Sequence, residues 1–152
     1  MFRQLFKNEQ GLKAAIETAS AHLVDSNLDA RIASFDLFAA MFDEDLGIEE
    51  ALRTARAYIK IGDPLAQSAA IDLFERLIQK GYGFEAAEAA AKAQVGNPNH
   101  EIRYKAFDLY EVLVSQKWDI EAARDAGKAH LNDVDPIVQI KAHRLLKTIG
   151  IS

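Results

Sequence analysis

The sequence predicts an all-α fold, a short right-handed α-solenoid of four helix pairs, on three observations. The chain of 152 residues repeats with a period of thirty-six: Asp36-Leu37-Phe38 recurs as Asp72-Leu73-Phe74, Asp108-Leu109-Tyr110 and Arg144-Leu145-Leu146 without a gap. Within each period apolar residues return after three and four positions, never after two, which marks helices rather than strands. Turn chemistry then interrupts the periods near their middle, at Gly62-Asp63-Pro64, Asn97-Pro98-Asn99 and Asp133-Val134-Asp135-Pro136. A helix pair of this size buries its apolar faces by stacking on its neighbours, so the period reads as a solenoid.

The register divides the chain into a leader, 1–10, and repeats 11–46, 47–82, 83–118 and 119–152. In the first helix, Leu12, Ala15, Ala19 and Leu23 lie on one stripe. Its columns recur as Ala15, Ala51, Ala87 and Ala123, as Leu23, Ile59, Val95 and Leu131, and as Leu12, Ile48, Phe84 and Ile120. Gly11, Gly47 and Gly83 precede the first three members of the last column. A further column of Ala21, Ala57, Ala93 and Ala129 is expected where helix backbones approach closely. The second helix buries Ala30, Ser34, Leu37 and Met41, matched by Ile102, Ala106, Leu109 and Leu113, while Phe35, Ile71 and Phe107 widen the apolar arc. Asp63 and Asp135 stand where a carboxylate caps that helix, with Pro64 and Pro136 at its first position. Gly81 and Gly150 close it, and Leu46, Tyr82 and Trp118 plug the junctions between repeats.

Composition excludes several classes of function. The chain has no cysteine, which removes disulfides, thiolate metal sites and a cysteine nucleophile. No apolar run spans a bilayer and Met1–Lys7 lacks the features of a secretory signal, so a cytoplasmic protein without a membrane is expected. A net charge of −5 argues against binding nucleic acid, which requires clustered Lys and Arg. His22, His100, His130 and His143 show neither the spacing nor the motif of a metal site, and no glycine-rich phosphate loop occurs. No catalytic residue, metal or cofactor is expected.

The turn residues resemble those of HEAT-like repeats, in which an Asp or Asn of the internal turn precedes a basic residue early in the second helix. Asp25 with Arg31 and Asn97 with Arg103 match, and Ile102 precedes Arg103 as the family prefers. The resemblance covers residues 11–152. It departs at Glu17, Arg53, Ala89 and Asp125, where the family often places a kinking proline, and in two turns, where Ile61 faces Gln67 and Asp133 faces Gln139. The resemblance implies a protein-interaction solenoid. It also keeps open an enzyme on the same fold, similar to alkyl-base DNA glycosylases or bilin lyases, and a structural protein that self-assembles. A lone Trp118 at a junction and basic residues scattered over several columns do not match the glycosylase track.

Opposite the core stripe, the second helices carry Asp36, Asp72 and Asp108, with Glu75 and Glu111 one turn further on. Ile32 and Tyr104 stand among these acids. As plain structure this is the solvated face of each helix. Its mixture of apolar and acidic residues also suits another protein or peptide that is basic and amphipathic, giving an adaptor or scaffold. All 23 acids lie before residue 136, and Lys141, Arg144 and Lys147 follow it, so Arg144 reverses the sign of the Asp column and is expected to orient a partner. At the ends, Phe2, Leu5 and Phe6 are expected to fold over the first pair, whereas Ile137, Ile140, Ile149 and Ile151 lack a following repeat. A monomer or closed homodimer is expected.

Overall fold

The structure, a computed structural model, describes residues 6–150. Eight α-helices, and no strand among the described residues, confirm the all-α class: α1 (Glu9–His22), α2 (Leu28–Asp43), α3 (Ile48–Ile59), α4 (Pro64–Gln79), α5 (Phe84–Gln94), α6 (His100–Ser115), α7 (Ile120–Ala129) and α8 (Pro136–Ile149). The chain divides into two compact units, Met1–Tyr82 and Gly83–Ser152. In the first, α1 packs on α2 and α3 on α4, with α1 against α3 and α2 against α4. In the second, α5 packs on α6 and α7 on α8, and α6 also meets α7 and α8. No described helix is long and apolar enough to cross a membrane.

Burial follows the thirty-six-residue register. Leu37, Leu73, Leu109 and Leu145 are all buried, as are Phe38, Phe74, Tyr110 and Leu146 beside them and Ala15, Ala51, Ala87 and Ala123 on the odd helices. The column of Ala21, Ala57, Ala93 and Ala129 does not behave as expected, because all four are exposed. Two residues at 100° each carry position 21 about 200° round the helix from buried Ala19, so its recurrence reflects repetition of the sequence and not packing. The close approach is one position-set earlier, where Ala19, Ala55, Ala91 and Gly127 are buried. At Gly127 a Cβ would stand 2.8 Å from Leu146 Cγ, so the α7–α8 contact requires glycine.

Three even helices end in the same way. Leu46, Tyr82 and Trp118 donate their N–H to Met41, Leu77 and Leu113, and the preceding Asp45, Gly81 and Lys117 donate to Phe42, Ile78 and Val114. This paired bonding is the Schellman motif, and its penultimate residue adopts the left-handed conformation, at φ 57°, 90° and 61° respectively. The plug column is thereby explained: its members are the apolar residue that this motif places over the last turn.

Helix starts are equally specific. Asn27, Asp63, Asn99 and Asp135 each cap an even helix with a side-chain oxygen, and Pro64 and Pro136 take the first helical position. Gly47 and Gly83 precede α3 and α5 in left-handed conformation, and Asp119 replaces glycine there at φ 37°, its carboxylate accepting from Ala122. Gly11 falls inside α1, which begins at Glu9 under an Asn8 cap, so the helix includes the last two residues of the expected leader. Phe2, Leu5 and Ile151 lie outside the described residues. Phe6 borders a shallow cavity with Glu44 and Leu46, beside the C-terminal end of α2.

The turns use the Asp/Asn-to-basic pairing and extend it. Arg31 donates to the Asp25 carbonyl at 2.6 Å and Arg103 to the Asn97 carbonyl at 2.9 Å. Gln139, where the sequence lacks a basic residue, donates to the Asp133 carbonyl in the same way. A planar side-chain donor six residues on is therefore sufficient, and the charge is dispensable.

Candidate interaction surface

The expected face does not remain an open row of carboxylates. Asp36 on α2 is exposed, and Asp72 and Glu75 on α4 are half-buried and engaged in contacts of their own. On α6, Asp108 accepts from Lys141 of α8, and Arg144 of α8 grips Glu111 with Nε–Oε1 at 2.7 Å and Nη2–Oε2 at 3.1 Å. Arg144 also stands 3.8 Å from Asp108. The basic end of the chain is thus the counter-charge of α6, and Asp108 and Glu111 are not two free acids. Tyr104 is half-buried with the Lys141 ammonium 5.7 Å from its ring centre.

The even helices also leave several large aliphatic residues open. Leu28 and Ile32 on α2 are 59% and 49% exposed, Leu65 opens at the start of α4, and Ile137 and Ile140 on α8 are 47% and 62% exposed. Ile140 lies in the column of Ile32, and Ile137 in that of Leu65. Both isoleucines are exposed on α8, in columns that are also exposed on α2 and α4. An apolar cavity of about 330 Å³ opens in the first unit between α1 and α2, lined by Ala19, Ala30, Ala33 and Leu37 among others. The corresponding Ala66, Ala69 and Leu73 of α4 are buried.

Three of the four histidines serve the turns. His22 Nδ1 lies 3.0 Å from Asp25 and His130 Nδ1 3.1 Å from Asp133, the same relation in the same column. His100 Nδ1 lies 3.0 Å from Asp135. Burial raises the Asp133 carboxyl, but the Arg103 guanidinium, the Asp135 N–H and His130 outweigh it and hold the group at about 2.

Sequence reasoning missed an acidic cavity of about 440 Å³ in the second unit, whose wall includes Glu88 and Lys92 of α5, Tyr110 of α6, and Asp119 and Asp125 at α7. Glu88 and Asp119 share a carboxyl–carboxyl hydrogen bond, which raises the Glu88 pKa and lowers that of Asp119. Trp118 donates its indole N–H to Glu88 at 2.8 Å and stacks on Phe84, ring centres 5.1 Å apart. A signal was available: Glu88 occupies the column of apolar Ile16 and Leu52, and Asp119 that of Gly47 and Gly83. Among the described residues, no three His, Asp or Glu side chains are placed to hold a metal ion.

No family model matches the chain, and neither a curated protein nor a solved structure matches it.

Proposed function

We propose that the chain is a HEAT-like solenoid of four helix pairs, a non-catalytic protein-interaction module of the cytoplasm acting as a monomer or closed homodimer. Its binding face is the outer side of the even helices, and its partner is a basic, amphipathic segment of another protein. The observation that supports this is the recurrence of exposed aliphatic residues at the same columns, Ile32 with Ile140 and Leu65 with Ile137. Within each unit, exposed aliphatic groups on an even helix give a partner apolar area to bury. Asp36, exposed one turn from Ile32, supplies attraction for a basic residue. The paired acids of α6 narrow the reading: affinity comes from the aliphatic positions, and charge selectivity from α2 more than from α6.

Selection of displayed random peptides against the immobilised protein tests this. Enriched sequences should interleave Lys or Arg with apolar residues at helical spacing, and Ile32→Arg or Asp36→Lys should weaken their binding about tenfold or more. Absence of enrichment, or binding indifferent to both substitutions, would contradict the proposal.

A further inference from the structure

Within each unit, one side of a helix pair is covered by the pair before it. In the first unit Tyr58 of α3 donates its hydroxyl to the Ser20 carbonyl of α1 at 3.1 Å, and Arg76 of α4 lies over the Phe35 ring of α2, 4.8 Å from its centre. In the second unit His130, at the end of α7, meets the Phe107 ring of α6 edge-on, ring centres 5.4 Å apart. Tyr58 and His130 share a column with His22, and Phe35 and Phe107 share one with Ile71 and His143. The His22 column therefore marks the side of a pair that receives the preceding pair, and the Phe35 column marks the side that covers the following one. On the α1–α2 pair the receiving side is open. It carries the apolar cavity of about 330 Å³, where Thr18, His22 and Ala33 are exposed. Thr54, Tyr58 and Ala69, in the same columns of α3 and α4, are buried or half-buried.

We propose that a second copy of the chain covers this side, two α1–α2 pairs meeting face to face about a two-fold axis. The inference rests on the closed-homodimer reading above and locates its interface. The lining is suited to self-pairing. Thr18, Ala19, Ala30, Ala33, Ser34 and Leu37 carry no charge, His22 is held by Asp25, and the Ser34 hydroxyl is engaged by the Ala19 carbonyl. Identical faces therefore meet without burying an unpaired charge. Head-to-tail contact lacks its other half. Among the described residues Phe35, Ile71 and Phe107 are already buried, and α8 presents exposed His143 in their column. With no apolar covering side open, the contact that remains is isologous, and it closes at a dimer. Helices of 14 and 16 residues, at about 1.5 Å per residue and with axes about 10 Å apart, offer roughly 400 Å² on each copy. That is about half the 800 Å² per partner of a stable complex, so the dimer is weak and exchanges rapidly. Asp29 and Asp36, a turn either side of Ala33, are exposed, and their like charges oppose the approach at low salt.

Sedimentation of the full chain from about 10 µM to about 1 mM, at low and at moderate salt, tests this. The expected result is a monomer–dimer equilibrium with a dissociation constant on the order of 100 µM, tightening severalfold as salt screens Asp29 and Asp36. Ala33→Glu sets two further like charges at the contact and should weaken the dimer about tenfold or more. Ala33 is exposed, so the melting temperature should not change. Thr18→Val should strengthen the dimer severalfold. The chain has no cysteine, so a single introduced thiol locates the contact. Under mild oxidation Thr18→Cys or Ala33→Cys should form linked dimers about tenfold faster than His143→Cys. A monomer at about 1 mM, growth beyond a dimer, association indifferent to Ala33→Glu, or equally fast linkage of His143→Cys would overturn the proposal. Association that appears only after removal of residues 1–5 would overturn it too, and would assign the cavity to the chain's own start. A monomeric result would leave the even-helix reading intact, because that reading stands on peptide binding.

Discussion

Arg103 and Asp133 meet side-on, Nη2 to Oδ1 at 2.9 Å and Nε to Oδ2 at 3.1 Å, joining the start of α6 to the turn before α8. Both side chains are nearly buried, and Arg103 also donates to the carbonyls of Asn97 and Pro98. One guanidinium therefore closes its own turn and fastens the next one to it.

Removal of that guanidinium takes from a buried carboxylate its permanently charged partner and leaves it only His130 and the Asp135 N–H. Arg103→Met should cost about 3 kcal/mol or more, and Arg103→Lys a smaller amount because lysine lacks the fork. Denaturant unfolding measures both. A cost below about 1 kcal/mol for Arg103→Met would show that the pair adds nothing to the fold.

The same carboxylate sets an acid limit. Held at about 2 in the folded chain and near 3.9 when unfolded, Asp133 favours the folded state above pH 4. That contribution disappears as pH falls from about 4 to about 2. Asp133→Asn should lower stability at neutral pH and flatten its decline across this window, measured as melting temperature against pH.

Lys117 adopts φ 61° where Gly81 stands in the equivalent motif. A side chain in the left-handed region costs about 1–2 kcal/mol, and glycine returns part of that as unfolded-state entropy. Lys117→Gly should therefore stabilise by about 0.5–1 kcal/mol, a rise of roughly 2–4 °C per kcal/mol for a chain of this length.

Gly127→Ala should have the opposite sign. Its new Cβ would press on Leu146 Cγ and Cδ2 at 2.8 and 2.9 Å. Overpacking costs about 1–3 kcal/mol, against a gain of up to about 1 kcal/mol in helix propensity, so a net loss is expected. A neutral or raised melting temperature would show that α7 and α8 separate freely.

Leu73→Ala and Leu109→Ala should each cost about 2–5 kcal/mol, since both leucines are fully buried in matching columns. Asp36→Asn should leave the melting temperature unchanged, whereas Asp108→Asn, which loses Lys141, should lower it by an amount worth under about 1 kcal/mol.

The fold class was legible because helix period and turn chemistry are local. Leu37, Leu73, Leu109 and Leu145 announced their burial by spacing alone, and Asp63-Pro64 and Asp135-Pro136 announced their caps. The column of Ala21 misled because repetition records ancestry as well as packing, and only the helix phase separates the two. The candidate face was half legible. Ile32 and Asp36 are open as the pattern implied, but the pairing of Glu111 with Arg144 depends on how α6 and α8 lie together, across 33 residues of sequence. The acidic cavity was readable only as departures, Glu88 from an apolar column and Asp119 from a glycine one.

Amide chemical-shift mapping of the labelled chain with a selected basic amphipathic peptide tests the central claim most directly. The even-helix face predicts saturable shifts concentrated at Leu28, Ile32, Asp36 and Leu65, or at Ile137 and Ile140, with the odd helices nearly silent. Shifts concentrated on α1, α3, α5 and α7, with the even helices unperturbed, would contradict it.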